Sequence, residues 1–325
     1  PEIMSADLAP LALELAAWGA NDATLPWLTP PPAAALATAR ALLLDLGAID
    51  GGGAITPHGR AMARLGQHPR LAHLVLKGRE LGQGTVAALI AAILGERDFL
   101  RERDVDLRHR VDIALAGRAP RLVTEAARRL TPRESRDERP DPSMTGALLA
   151  LAYPDRIGRR RADTANRYLL SGGRGAALPE GDPMSNEEFL VVAETDGAAQ
   201  DARIFLAAPI TLGEIEELYG DRIVDDEIVE WRETVRARRR RRLGALVLED
   251  KPISKPDPEK VKAAMLAGLR QRGLPWSDEL RAWTCATVVR GRLTGCTTHL
   301  STEPDVAMRQ CRELMSILAS PWVMP

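Results

Sequence analysis

From residue 8 to residue 46, apolar side chains recur every three or four positions, the period of a helix with one buried face. Leu8, Leu11, Leu15 and Trp18 form the first stripe, with Ser5 or Asp7 placed to cap it and Asn21 and Asp22 to end it. Leu36, Ala39, Leu42, Leu43 and Leu46 form the second, with Thr29 as its cap, three prolines at its entry and Gly47 at its stop. The period then changes. Residues 48–50 and 54–56 read as two short strands around Gly51, Gly52 and Gly53, and Thr56-Pro57 opens a third helix that ends near Gly66. Helices followed by a small hairpin predict a winged-helix domain over residues 1–68. Four more stripes, centred on Leu74, Ile90, Val111 and Val123, predict a helical bundle over residues 69–142, whose polar end from Thr131 reads as a linker or flexible loop.

Beyond Leu148 the apolar helical texture gives way to short segments with turn signals between them. Residues 156–160, 167–170, 176–178, 189–194, 202–207, 223–231, 235–241 and 245–248 read as strands, with a helix-like insert at 212–219. Such a series predicts a small β-barrel of the oligonucleotide-binding (OB) type over residues 143–250. Residues 257–272 read as one more amphipathic helix, inside a C-terminal region spanning 251–284. From about Trp283 the Ala/Leu/Arg texture gives way to Thr, Cys, Met and His, so residues 285–325 read as an atypical tail, either disordered, lineage-specific or the product of a shifted reading frame. The expected fold class is α+β, multidomain and mostly helical.

Composition narrows the function classes. At 325 residues and 45% hydrophobic content the chain can bury several cores, and its 4% aromatic content with abundant Ala, Leu and Arg favours helix. No apolar run approaches the roughly 20 residues of a membrane span, and no export signal opens the chain, so a soluble, cytoplasmic protein with no membrane partner is expected. Three cysteines, Cys285, Cys296 and Cys311, do not describe a disulfide scaffold and fit a reducing compartment. A start at Pro1 suggests a piece of a longer protein.

Charge is local rather than global. Residues 151–178 hold six arginines against two aspartates, an excess of +4 in a chain of net charge −1. Arg156, Arg159, Arg160, Arg161, Arg167 and Arg174, with Tyr168 beside the Gly172-Gly173 turn, form a candidate strip for phosphates and stacked bases, although a charge run is often only a solvated face. The run from Arg236 to Arg242, broken only by Ala237, adds Arg238 and Arg240 as candidates; in a strand its alternate side chains face opposite ways, and the acidic stretch before it can pair with them. In the bundle, Arg97, Arg101 and Arg103 intermix with Glu96, Glu102 and Asp104, the pattern of exposed pairs. Gly51–Gly53 and Gly172-Gly173 read as tight turns. His58, His68, His73 and His109 lack metal-ligand spacing, and Cys285, Cys296, His299 and Cys311 lack a paired arrangement, so no metal site and no catalytic residue are expected. No Gly-x-x-x-x-Gly-Lys-Ser/Thr loop occurs, so no cofactor is expected on this chain.

Several motifs carry a family likeness. Leu28-Thr-Pro-Pro-Pro32, Leu46-Gly-Ala-Ile49, Ile55-Thr-Pro-His-Gly59 and His68-Pro-Arg-Leu71 resemble the segment that follows the second motor domain of DEAH-box RNA helicases. Tyr153-Pro-Asp-Arg-Ile157, Arg167-Tyr-Leu-Leu-Ser-Gly-Gly-Arg-Gly175 and Arg240-Arg-Arg-Leu-Gly-Ala-Leu-Val247 resemble, more narrowly, the bacterial HrpB-type ATP-dependent helicases. The resemblance implies a winged helix, a ratchet bundle, an OB-like barrel and the start of a family-specific C-terminal region. It implies binding of single-stranded RNA or DNA in support of upstream motor domains of the same polypeptide, which would hold ATP and Mg and are absent here. Gly172 departs from the family's Ser-Asn-Gly-Arg-Gly pattern, whereas Arg174 matches it. The rival reading is an interaction scaffold whose arginine strip meets an acidic protein. A duplex-reading winged helix is disfavoured, because the second helix offers only Arg40.

Overall fold

In this computed structural model the described residues are 2–20, 25–100, 104–131, 139–162, 164, 166–197, 201–232 and 234–272. They fall into two compact units: residues up to 228 with 237–255, and residues 229–236 with those from 256 onward. The cysteines, His299, Arg101 to Arg103 and the expected tail lie outside the described residues.

The first unit opens with α1 (Ala9–Trp18), α2 (Ala33–Asp45) and α3 (Pro57–Arg64). Leu13, Leu36, Leu43, Leu46 and Met62 close a core of their own among them. The triple-glycine turn forms as expected: Ile49 and Ile55 bridge antiparallel, Asp50 Oδ1 accepts the amides of Gly52 and Ala54, and Gly53 takes a φ of +83°. Thr56 caps α3 by accepting the Gly59 amide. The Thr29 cap does not form, because α2 starts only after Pro32 and carries no side-chain cap.

Four helices follow, α4 (Pro69–Glu80), α5 (Gly84–Gly95), α6 (Leu107–Leu115) and α7 (Arg121–Leu130), and a fifth, α8 (Thr145–Ala152), leads into the strands. Helix α5 is buried all round from Val86 to Ile93, which its uniformly apolar sequence requires. Arg110, 1% exposed, clamps the chain before α6: it donates to both oxygens of Asp98 and to the carbonyls of Asp104 and Asp106.

Strands β1 (Ile157–Arg160), β2 (Arg167–Leu170), β3 (Gly175–Ala177), β4 (Phe189–Thr195) and β5 (Ala202–Pro209) close a barrel in the order β1-β2-β3-β5-β4. Strands β3 and β5 pair in parallel, and β1 closes on β4, an OB-like arrangement. Leu170, Leu190, Val192 and Ile204 fill the barrel, and Val105 from the loop before α6 joins them while its carbonyl accepts the Ala207 amide at 2.9 Å. The outer faces of β4 and β5 share a core with the bundle, since Val191, Ala193, Leu206 and Ala208 pack in one cluster with Leu148, Leu149 and Ile90.

The sequence read eight strands toward one barrel, yet the last three stand apart. After α9 (Leu212–Tyr219), whose capping box joins Thr211 to Glu214, β6 (Val224–Arg232), β7 (Thr234–Leu243) and β8 (Leu246–Pro252) form a separate three-stranded sheet in sequence order. Strand partners are chosen by long-range packing, which local alternation does not encode. In the second unit α10 (Pro258–Arg272) matches the helix expected over 257–272, and Trp231 lies on its Gly268, where a β-carbon would come 2.2 Å from the indole.

Candidate nucleic-acid interface

Four of the sequence motifs meet at one point of the first unit. Arg70, from His68-Pro-Arg-Leu71, donates to both oxygens of Asp155 at 2.6 and 3.1 Å and to the Ala152 carbonyl at 2.9 Å. Its guanidinium and that of Arg156 stack on the Tyr153 ring, at 5.1 and 4.8 Å from the centroid. The Ser171-Gly172 turn docks on the same segment, with the Gly172 amide donating to the Asp155 carbonyl and the Ser171 hydroxyl to that of Pro154. A β-carbon at 172 would stand 2.9 Å from the Asp155 oxygen, so a side chain here requires a small shift of the turn. Finally the Ala245 amide donates to the Ser171 carbonyl, and Gly244, at φ +56°, passes so close to that carbonyl that a β-carbon would come within 2.5 Å. The hub therefore fixes the β2–β3 turn against the β7–β8 turn. Arg70→Ala is expected to cost about 2 kcal/mol of stability, measured by urea unfolding, because it strands the Ala152 carbonyl and releases Asp155.

Beside this hub runs the arginine strip. Arg174 projects from the β2–β3 turn, is exposed, and has no ion-pair partner among the described residues. Among the described residues the Arg160 guanidinium donates to the Ser185 carbonyl, at 2.9 Å, and pairs with no carboxylate. Arg159 pairs with Glu188 at 2.9 Å, donates to the Val247 carbonyl and lies over the Phe189 ring at 5.6 Å. Arg161 and Arg167 share Asp201, at 3.5 and 3.0 Å. Arg159, Arg160, Arg161, Thr164, Leu169 and Leu246 line an open groove of about 640 Å³ between β1–β2 and β8. Among the described residues Glu188 and Asp201 are the carboxylates paired with the strip, and Asp155 is held by Arg70, so the described arginines of this face outnumber their carboxylate partners.

Three kinds of candidate are engaged elsewhere in the fold. Tyr168 is 0% exposed; its ring fills the barrel and its hydroxyl donates to the Met184 and Glu187 carbonyls, at 3.0 and 2.9 Å, so it is no platform for a base. Burial pushes that hydroxyl's pKa up to about 12. Arg156 is spent on the hub, donating to the Ala193 carbonyl at 2.7 Å while stacked on Tyr153. Arg238 and Arg240 both bind Asp250, at 2.6 and 3.1 Å, and Arg238 first, then Arg240, hold that carboxyl below the usual range. Their neighbours Arg239, Arg241 and Arg242 pair with Asp225, Glu216 and Asp226, so each arginine from 238 to 242 has a carboxylate partner.

The same hub and barrel bear on what the chain is related to. No protein-family model matches it. The ATP-dependent RNA helicase HrpB of Escherichia coli is 33% identical to it over 332 aligned residues, covering 100% of this chain. The chain is homologous to HrpB along its whole length. It spans 39% of that relative. Two crystal structures of E. coli HrpB, described as a DExH-box NTPase and as a DEAH/RHA helicase, superpose with a TM-score of 0.69 at 31% and 29% identity, over 96% and 98% of this chain. The Schizosaccharomyces pombe pre-mRNA-splicing factor ATP-dependent RNA helicase prp22 is 36% identical over 95 residues, 8% of its own length.

Sequence reasoning missed Asp201, Glu188 and Asp155 as partners of the strip and hub. No local signal marks the first two, which lie on other strands or turns of the barrel. It also missed the pair His58 and His73, whose ring nitrogens meet at 2.9 Å between α3 and α4. Among the described residues no group of three or more His, Cys, Asp or Glu could hold a metal, and no helix is long and apolar enough to cross a membrane.

Proposed function

We propose that the chain is the C-terminal auxiliary part of an HrpB-type ATP-dependent helicase and binds single-stranded RNA or DNA for motor domains carried elsewhere in the same polypeptide. On this reading residues 1–68 are its winged helix, 69–142 its ratchet bundle, 143–250 its OB-like domain and 251–284 the start of the family's C-terminal region. The observation that carries it is the arginine cluster of β1–β2 and the following turn, which keeps Arg160 and Arg174 without carboxylate partners among the described residues on a barrel homologous to HrpB's. Guanidiniums placed this way neutralise phosphates without reading sequence. Arg159, Arg161 and Arg167 complete the contact surface, while Arg156 and Tyr168 hold the scaffold beneath it. The contribution is mechanical: the chain grips a strand, and ATP and Mg act in the motor domains, since no phosphate loop occurs in this sequence.

Binding of a labelled single strand is expected to weaken steeply with salt. Arg160→Ala combined with Arg174→Ala is expected to flatten the slope of log K against log salt by about 1.4, at roughly 0.7 per single-strand phosphate. An unchanged slope refutes the assignment.

A further inference from the structure

Asp201 is the one described residue other than glycine with a positive φ, +42°. Aspartate is among the few non-glycine residues that tolerate this conformation, which here aims the carboxylate at its two partners. Its carboxylate sits between the guanidiniums of Arg167 and Arg161, at 3.0 and 3.5 Å. Gly175 forms the floor: a β-carbon there would lie 2.1 Å from Asp201 Oδ1 and 3.1 Å from the Arg161 guanidinium, so glycine is what admits the carboxylate. The three side chains remain reachable from solvent, at 37% for Arg161, 50% for Arg167 and 27% for Asp201. Two guanidiniums closing on one monoanion reproduce the way such groups hold a phosphodiester.

We infer that Asp201 is an internal stand-in for a phosphodiester group, occupying the Arg161–Arg167 subsite until a nucleic-acid strand displaces it. The inference rests on the reading of the arginine strip as a strand-binding surface. Exchange of one monoanion for another releases few counterions. Arg161 and Arg167 therefore touch the strand while adding little to the salt dependence of binding, unlike Arg160 and Arg174. The subsite also resists free anions, which must compete with a tethered carboxylate, whereas a strand held at neighbouring phosphates does so at high effective concentration.

The test uses the full chain and a dye-labelled oligouridylate, titrated by fluorescence anisotropy over a range of potassium chloride. Asp201→Asn removes the charge and keeps a side chain that tolerates the left-handed backbone; it is expected to tighten binding about fivefold near 0.1 M salt and to steepen the salt slope by about 0.7, one more single-strand phosphate. Gly175→Ala fills space that carboxylate and phosphodiester share and is expected to give no such gain. Added to Arg161→Ala with Arg167→Ala, Asp201→Asn is expected to have no effect. Equal or weaker binding by an Asp201→Asn protein that melts like the wild type overturns the inference and makes Asp201 a residue that positions the arginines. If Asp201→Asn melts early, Asp201→Gly carries the same expectation, because glycine accepts the positive φ. The two possible failures are separable. A strand that does not bind, or a slope indifferent to Arg160→Ala with Arg174→Ala, removes the reading of the strip and this inference with it. A slope that responds to those changes, without a gain from Asp201→Asn, removes only the stand-in.

Discussion

Gly146→Ala is expected to destabilise the first unit by about 3 kcal/mol, the upper part of the range for forcing extra volume into a packed interior. The β-carbon would stand 1.8 Å from the Pro209 carbonyl oxygen and 2.8 Å from its carbon. Those are backbone atoms of β5, so no side-chain rotation relieves the clash. Helix α8 is itself pinned by the Tyr219 hydroxyl, which donates to the Ala150 carbonyl at 2.8 Å, and by Leu148 and Leu149, both 0% exposed. Either α8 lifts from the barrel or β5 bends. Gly95→Ala is the control, because its β-carbon would meet nothing within 4 Å, and it is expected to leave the urea midpoint nearly unchanged. Equal midpoints for the two variants would show that α8 and β5 are less tightly joined than the structure has them.

The second large effect is a loss of stability in mild acid that His73 imposes. Burial first, then the neighbouring charge of His58, lowers its pKa from 6.5 to about 3, and burial lowers that of His58 in the same direction. Lys77 and Arg222 reinforce this at His73, while a hydrogen bond to the Leu46 backbone opposes it; Glu80 opposes the shift at His58. Above pH 6.5 neither folded nor unfolded protein protonates the ring, so the full stability is present. Below it the unfolded chain takes up the proton and the native one does not, and stability falls by about 1.4 kcal/mol per pH unit until the folded pKa is reached. At about pH 4.5 the loss from His73 alone is about 3 kcal/mol. Urea midpoints of wild type and His73→Gln are expected to converge as pH falls from 7, since the variant lacks this term while the carboxylates common to both cancel. Parallel curves would mean that the ring is solvated and titrates normally.

Much of the fold is legible in the residues, and the parts that are not have physical reasons. Every one of β1 to β8 sits within a few residues of its expected place, because turn glycines and the switch from a helical to an alternating period are local properties. What no local property carries is partner choice. The closure of β1 on β4, the parallel pairing of β3 with β5, and the separation of β6 to β8 as their own sheet depend on which faces other elements cover. Tyr168 was legible and misread. Strand β2 alternates from an exposed Arg167 to a buried Tyr168, as the two-residue period demands once Arg167 is placed outside. The arginine strip was legible as charge but not as free charge, since Glu188 and Asp201 reach it from elsewhere in the barrel, and Asp250 faces Arg238 and Arg240 only through the register of β7 and β8.

Val105 leaves the helical bundle to fill the end of the barrel, and the outer faces of β4 and β5 complete the bundle's core. On the proposed reading, a load on a strand held by the barrel passes through this shared packing to α5, and within the first unit bundle and barrel would move as one lever rather than as two jaws.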